Sequence, residues 1–193
     1  MKKKIIAILA TISLILTIFL SSILLVTFDK QNYPGHTNNV LEYLNGNENL
    51  NPDMFSEREI THMEDVKFLC NLVKILFYIS LFFSIGLLVI LIKIKDYSLI
   101  SKIFLYSSLI SLGLLILLYL LSLNFNSFFT NFHYLLFTND LWLLPENSML
   151  IKSFPKEFFN VALKRIFLFI TVISSAILIN GLILRFRRKD VHS

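Results

Sequence analysis

Residues 68–94 read FLCNLVKILFYISLFFSIGLLVILIKI. The charges in this run are Lys74 and, near its far end, Lys93. About 20 apolar residues suffice to carry a helix across the roughly 30 Å of hydrocarbon in a bilayer, so this run is long enough. Its apolar character is continuous, whereas membrane barrel strands alternate, so it reads as a transmembrane helix. Three more runs, 5–28, 103–125 and 163–184, read the same way. Together they explain why a chain of 193 residues is 55% hydrophobic with a mean hydropathy of +0.70, too apolar for a soluble globule of this length. Lipid leaves no partner for unpaired backbone groups, so spanning segments are helices or closed barrels. The expected fold is an all-α membrane protein with four transmembrane helices in one integral membrane domain, 1–193.

Met1–Lys4 ahead of an apolar run suggests a signal peptide. The run is longer than the 7–15 residues of a cleavable one and ends Leu-Leu-Val-Thr-Phe rather than at a small-residue site, so it is expected to stay as the first span. Basic residues set orientation, collecting on the cytoplasmic side. With the N-terminus inside, the inner segments hold ten Lys or Arg against Asp96 and Asp190, and the outer segments hold seven against eleven acids. Both termini are then cytoplasmic. The two long loops, 29–67 and 126–160, are extracytoplasmic. The basic excess anchors topology and can touch anionic lipid; it is not a nucleic-acid footprint.

The outer loops carry the chemistry-bearing residues. In the first, NVLEYLNG suggests a short helix stopped by Gly46. Ser56-Glu57-Arg58-Glu59 fits the S-x-x-E capping box, so a helix is expected to start there and run into the second span. Residues three and four apart share a helix face, which groups Glu59, His62 and Asp65, with Arg58 adjacent. Carboxylates beside an imidazole favour its protonated form, which suits a general base. The same pattern also fits a solvated helix start whose charges pair. The second loop is aromatic and broken by turn signals at Asn139-Asp140 and Pro145-Glu146-Asn147. It is expected to lie in the membrane interface, where aromatic rings are favoured, and the two loops would form an interfacial cap. Phe154-Pro155 should open the last spanning helix.

His133 stands among Phe132, Tyr134, Leu135 and Leu136, where its ring needs a hydrogen-bond partner or a headgroup. Asp140 can orient a histidine or bind an amine, but an Asx-type turn is the favoured reading. Trp142 fits an interface anchor better than a substrate contact. Arg165, at the outer end of the fourth span, can bind phosphate or anionic lipid. His36 and His192 are read as surface residues without a chemical role. Cys70 is the single cysteine, so no internal disulfide can form. No Cys-His zinc spacing, G-x-S-x-G, H-E-x-x-H or P-loop pattern occurs, and no cofactor is implied.

Four motifs carry a resemblance: R-E-I-x-H-M-x-D-V-K at 58–67, F-H-x-x-x-F at 132–137, N-D-x-W-x-L at 139–144 and L-I-x-x-F-P-x-x-F-F at 150–159. Together they resemble the signature of a family of small bacterial four-span membrane proteins that includes the lipoprotein intramolecular transacylase (Lit). The resemblance covers essentially the whole chain; the polar stretch 31–51 matches no motif. It implies transfer of the sn-2 acyl chain of an S-diacylglyceryl lipoprotein to the α-amine of its N-terminal cysteine, giving a lyso-form lipoprotein. It also implies diacylated bacterial lipoproteins as partners, the bacterial cytoplasmic membrane as location and an extracytoplasmic active site. Catalytic roles fall on His62 and His133, with Arg58, Glu59, Asp65, Asp140, Trp142 and Arg165 binding substrate or supporting. His62 is the expected base, with Glu59 and Asp65 holding its proton. Two other readings compete: a non-enzymatic transport or assembly subunit, and a metal-dependent membrane hydrolase with His62, Asp65, His133 and Asp140 as ligands. No span has the charged midplane residue or broken helix that would favour an ion path.

Overall fold

The computed structural model describes residues 2–33 and 35–190. Among the described residues seven α-helices follow in order: α1 (Lys2–Thr27), α2 (Asn38–Asn45), α3 (Glu57–Lys93), α4 (Tyr97–Leu121), α5 (Phe125–Leu136), α6 (Met149–Ser153) and α7 (Lys156–Asp190). Four of them, α1, α3, α4 and α7, are long and apolar enough to cross a membrane. The protein is therefore an all-α, four-span membrane protein.

The third span was expected to run to 125, but α4 stops at Leu121 and a new helix, α5, opens at Phe125. Asn124 is the cause: its side chain accepts the Ser127 amide at 3.1 Å and caps α5. A side-chain cap offers the backbone an alternative to continuing the first helix. At the first loop, Gly46 ends α2 with φ 85°, a left-handed conformation that costs glycine little. Pro155 directly precedes α7, as the Phe154-Pro155 pair suggested.

The described chain forms two compact units. One comprises residues up to Ile23, Lys74–Tyr119 and residues from Ile166. Its interior holds Ala10, Ile18, Leu91, Ile103 and Ile170. Small hydroxyl residues line its helix contacts: Thr17 Oγ1 lies 3.2 Å from both Ser80 Oγ and Ser84 Oγ, and Ser101 Oγ donates to the Gly181 carbonyl at 2.8 Å. A Cβ on Gly181 would come within 3.0 Å of Phe104 Cβ, so glycine allows that approach. Small residues at such contacts suit helices packed in lipid, where hydrophobic expulsion from water cannot drive association. Large side chains instead face outward, among them Phe82 at 73% exposure.

The second unit comprises Leu24–Val73 and Leu120–Arg165. Its core gathers Tyr33, Leu41, Leu44, Phe55, Leu150 and Phe154. Phe154 meets the ring of Tyr33 edge-on at 5.8 Å. Both histidines of the motifs lie in this unit.

Candidate active site

The part of α3 in this second unit begins with the capping box. Ser56 N and Oγ both donate to Glu59 Oε2, at 2.8 and 2.7 Å. Glu59 Oε1 accepts the backbone N–H of Leu150 at 2.8 Å, 91 residues along the chain. The carboxylate is buried. Burial pushes its pKa up, but hydrogen bonds from the Leu150 and Ser56 backbone and the Ser56 hydroxyl hold it below the ordinary value. This corrects the role expected from helix periodicity. Both oxygens of Glu59 are committed to Ser56 and to the start of α6, so it positions that segment rather than holding a proton on His62.

His62 sits one turn further along, 8% exposed. Six charged residues fall within 57–67, so this stretch of α3 lies ahead of the apolar run. The ring meets Phe137 edge-on at 5.2 Å. His62 Nδ1 is buried and has no hydrogen-bond partner among the described residues. Burial lowers its pKa to about 4; the neighbouring His133 acts in the same direction and Asp65 opposes both. The imidazole is therefore neutral at physiological pH, and the carboxylate support expected for its protonated form is outweighed. Asp65 does pull the expected way, but desolvation exceeds it. Asp65 Oδ2 also accepts from Asn139 Nδ2 at 2.9 Å.

His133 is on α5, where Nδ1 lies 2.7 Å from the Phe129 carbonyl oxygen one turn earlier. A carbonyl only accepts, so Nδ1 carries the hydrogen and the neutral ring offers its lone pair at Nε2. Burial lowers the pKa of His133, with the Phe129 bond opposing. Phe129 at 4.3 Å and Trp142 at 4.9 Å pack against the ring. The His62 and His133 ring centres are 6.5 Å apart, inclined by 33°. One reacting group can lie against both.

The segment after α5 completes the surroundings. Asn139 Oδ1 accepts the Leu141 amide at 3.1 Å, the Asx turn expected here. Asp140 contributes its carbonyl, which accepts from the Arg58 guanidinium. Arg58, Asp65, Asn139 and Asp140 thus tie α3 to residues 139–140. Trp142, expected as an interface anchor, stacks on His133 and receives Tyr134 edge-on at 5.1 Å. Its Nε1 is buried without a partner among the described residues. Buried donors are nearly always paired, which sets this N–H apart from the other polar groups around the histidine pair. Arg165 is elsewhere in this unit, bonded to Asp29 and Asn32. The His36 side chain and His192 lie outside the described residues. Phe129, Phe137 and Asn139 were missed as site residues. The i, i+4 spacing of Phe129 and His133 would have paired them had α5 been read as a helix.

Among the described residues no three His, Cys, Asp or Glu side chains are grouped to hold a metal ion. The ligand set of the hydrolase reading is not assembled.

The low pKa of His62 sets a pH window for stability. A depressed folded-state value means that the unfolded chain binds the proton first. The stabilisation is complete above about pH 6.5 and is lost as the pH falls towards 4. Its size is on the order of 3 kcal/mol. The thermal midpoint of the protein in detergent should fall across that window, and His62→Gln should flatten the fall. Superimposable profiles for the two proteins would contradict it.

Fold and geometry together define a multi-pass membrane protein in which two imidazoles lie 6.5 Å apart, centre to centre, within one compact unit. The family model described as lipoprotein intramolecular transacylase Lit matches residues 34–159, the stretch holding both histidines. The chain belongs to the lipoprotein intramolecular transacylase family. It is an intramolecular acyltransferase acting on lipoprotein acyl chains, in a bacterial membrane. Membership decides against the transport or assembly subunit and against the metal-dependent hydrolase. Among solved structures, the in meso structure of the membrane integral lipoprotein intramolecular transacylase Lit from Bacillus cereus is 22% identical and superposes with a TM-score of 0.89, over 97% of this chain and 98% of that one. A variant of that protein with one histidine replaced by arginine is 20% identical, with a TM-score of 0.80 over 98% and 95% of the two chains. A variant with an alanine replacement gives 20% and 0.80 over 97% and 96%. These likenesses establish the shared fold. No curated protein matches.

Proposed function

We propose that the protein moves the sn-2 acyl chain of an S-diacylglyceryl lipoprotein onto the α-amine of that lipoprotein's own N-terminal cysteine. The amine nitrogen attacks the ester carbonyl, the bond from acyl carbon to glycerol oxygen breaks, and that oxygen takes up the proton the amine loses. The observation that carries the proposal is the histidine pair, 6.5 Å between ring centres, with the hydrogen on His133 fixed at Nδ1 by the Phe129 carbonyl. His133 Nε2 takes the amine proton and returns it to the leaving oxygen. His62, held neutral by burial, polarises the carbonyl through a ring N–H, as a neutral imidazole does in other buried sites. Trp142 Nε1–H is a second donor for the oxyanion. This exchanges the roles expected from sequence, in which His62 was the base. Nucleophile and ester belong to one molecule, so alignment supplies much of the acceleration and no acyl-enzyme is needed.

Asp65, Asn139, Arg58 and Asp140 keep α3 and the segment beyond α5 in register. Glu59 holds α6, and Arg165 fixes the segment after α1. Both termini are assigned to the cytoplasm and the site to the outer face, on the distribution of Lys and Arg. The outer loops are assigned to an interfacial cap, supported by Tyr134 at 62% and Leu135 at 82% exposure, which water alone would disfavour.

The test is expression in a bacterium whose lipoproteins keep a free N-terminal amine, followed by fragmentation mass spectrometry of one lipoprotein's N-terminal peptide. Transfer conserves mass, so the readout is the fragment that carries the acyl group. The expected result is an N-acyl peptide with a monoacylglyceryl thioether. A diacylglyceryl peptide with its amine still free would overturn the proposal.

A further inference from the structure

In the other compact unit, Lys3, Lys4, Ala7, Asp96, Ser98, Leu99 and Lys102 line a groove of about 340 Å³. α1 supplies one wall and the start of α4 the other. Lys3 Nζ is 2.8 Å from Asp96 Oδ2, and Asp96 Oδ1 accepts the Leu99 amide at 3.2 Å. The one carboxylate of the groove is thus engaged by Lys3 and by the first turn of α4. Lys4 and Lys102 take part in neither of the ion pairs found among the described residues. Two ammonium groups therefore flank the groove without a carboxylate of their own, and the positive N-terminal end of the 25-residue α4 adds to them. The apolar runs begin at Ile5 and Ile103, so both ammonium groups stand where hydrocarbon gives way to phosphate. Ala7 and Leu99 give the groove an apolar side.

We propose that this groove binds the phosphodiester headgroup of an anionic phospholipid, with Lys4 and Lys102 on the phosphate and the glycerol and first methylenes against Ala7 and Leu99. The apolar side decides for a lipid over free phosphate, which would gain nothing from it. The site is separate from the histidine pair, and its ligand is a membrane lipid that is not acylated or deacylated there.

The test uses the purified full-length chain in detergent, titrated with short-chain phosphatidylglycerol and followed by native mass spectrometry. The comparison pair is the double variant K4Q/K102Q and the double variant K93Q/R187Q. Lys93 ends α3, Arg187 lies in the last turn of α7 and neither lines the groove, so the second variant loses the same charge elsewhere. Each ammonium near an anionic surface is worth about a factor of five, so K4Q/K102Q should weaken binding roughly twenty-fold. K93Q/R187Q should weaken it less than about threefold, because its ammonium and guanidinium act only through the screened surface potential. Thermal midpoints of both variants equal to that of the parent would show that the fold is intact. Equal weakening by the two variants would overturn the site in favour of general surface charge. Phosphatidylcholine binding as tightly as phosphatidylglycerol would overturn it as well. Inorganic phosphate displacing the lipid at similar concentration would overturn the assignment of the ligand as a lipid.

Discussion

A His133→Asn variant transfers acyl chains about a thousandfold more slowly than the parent, within the range removed with a positioned acid–base group. Asparagine places an amide N–H near the position of Nδ1, so the bond to the Phe129 carbonyl can survive. What disappears is the lone pair at Nε2. The loss should fall on the chemical step, with the substrate concentration for half-maximal rate little changed. The pH profile separates a lost base from a disturbed fold. In the parent, the rate falls on acidification as both His133 and the substrate amine take up protons. In the variant, the residual rate follows the amine alone. Initial rates from the N-acyl fragment across pH 5–9, roughly the span that brackets free histidine and an α-amine, make the comparison. A fall of less than tenfold would remove His133 from the role of base.

Much of this molecule is legible in its sequence because lipid is a demanding solvent. Four runs without a way to satisfy an irregular backbone leave helices as the answer, and α1, α3, α4 and α7 follow. Local chemistry was equally readable where the partner is local: the capping box at Ser56 and Glu59, the stop at Gly46 and the Asx turn at Asn139 all form. The readings that changed depend on residues far along the chain. Nothing near Glu59 announces that its second oxygen will meet the amide of Leu150. Nothing near His62 announces that Phe137 and His133 will bury it, and this burial reverses the sign of the effect inferred from Asp65 and Glu59. The break between α4 and α5 was local but easily overlooked, because the Asn124 side chain that caps α5 sits inside an otherwise apolar run.

Trp142 gives the second large effect. A Trp142→Phe variant keeps a six-membered aromatic ring over His133 and edge-on to Tyr134, and removes one N–H. If that ring were only packing, the rate would change by a small factor and any loss would appear as a lower thermal midpoint. If Nε1–H binds the oxyanion, the rate falls by about a hundredfold, the lower part of the range for deleting one such donor. The midpoint holds or rises, because the free protein no longer buries an unpaired donor. Opposite movement of rate and stability is what distinguishes the two roles. The rate loss should again leave half-saturation unchanged, since charge on the carbonyl oxygen develops only as the amine attacks. A variant retaining half of the parental rate would restrict Trp142 to packing, and the oxyanion would then depend on His62 alone.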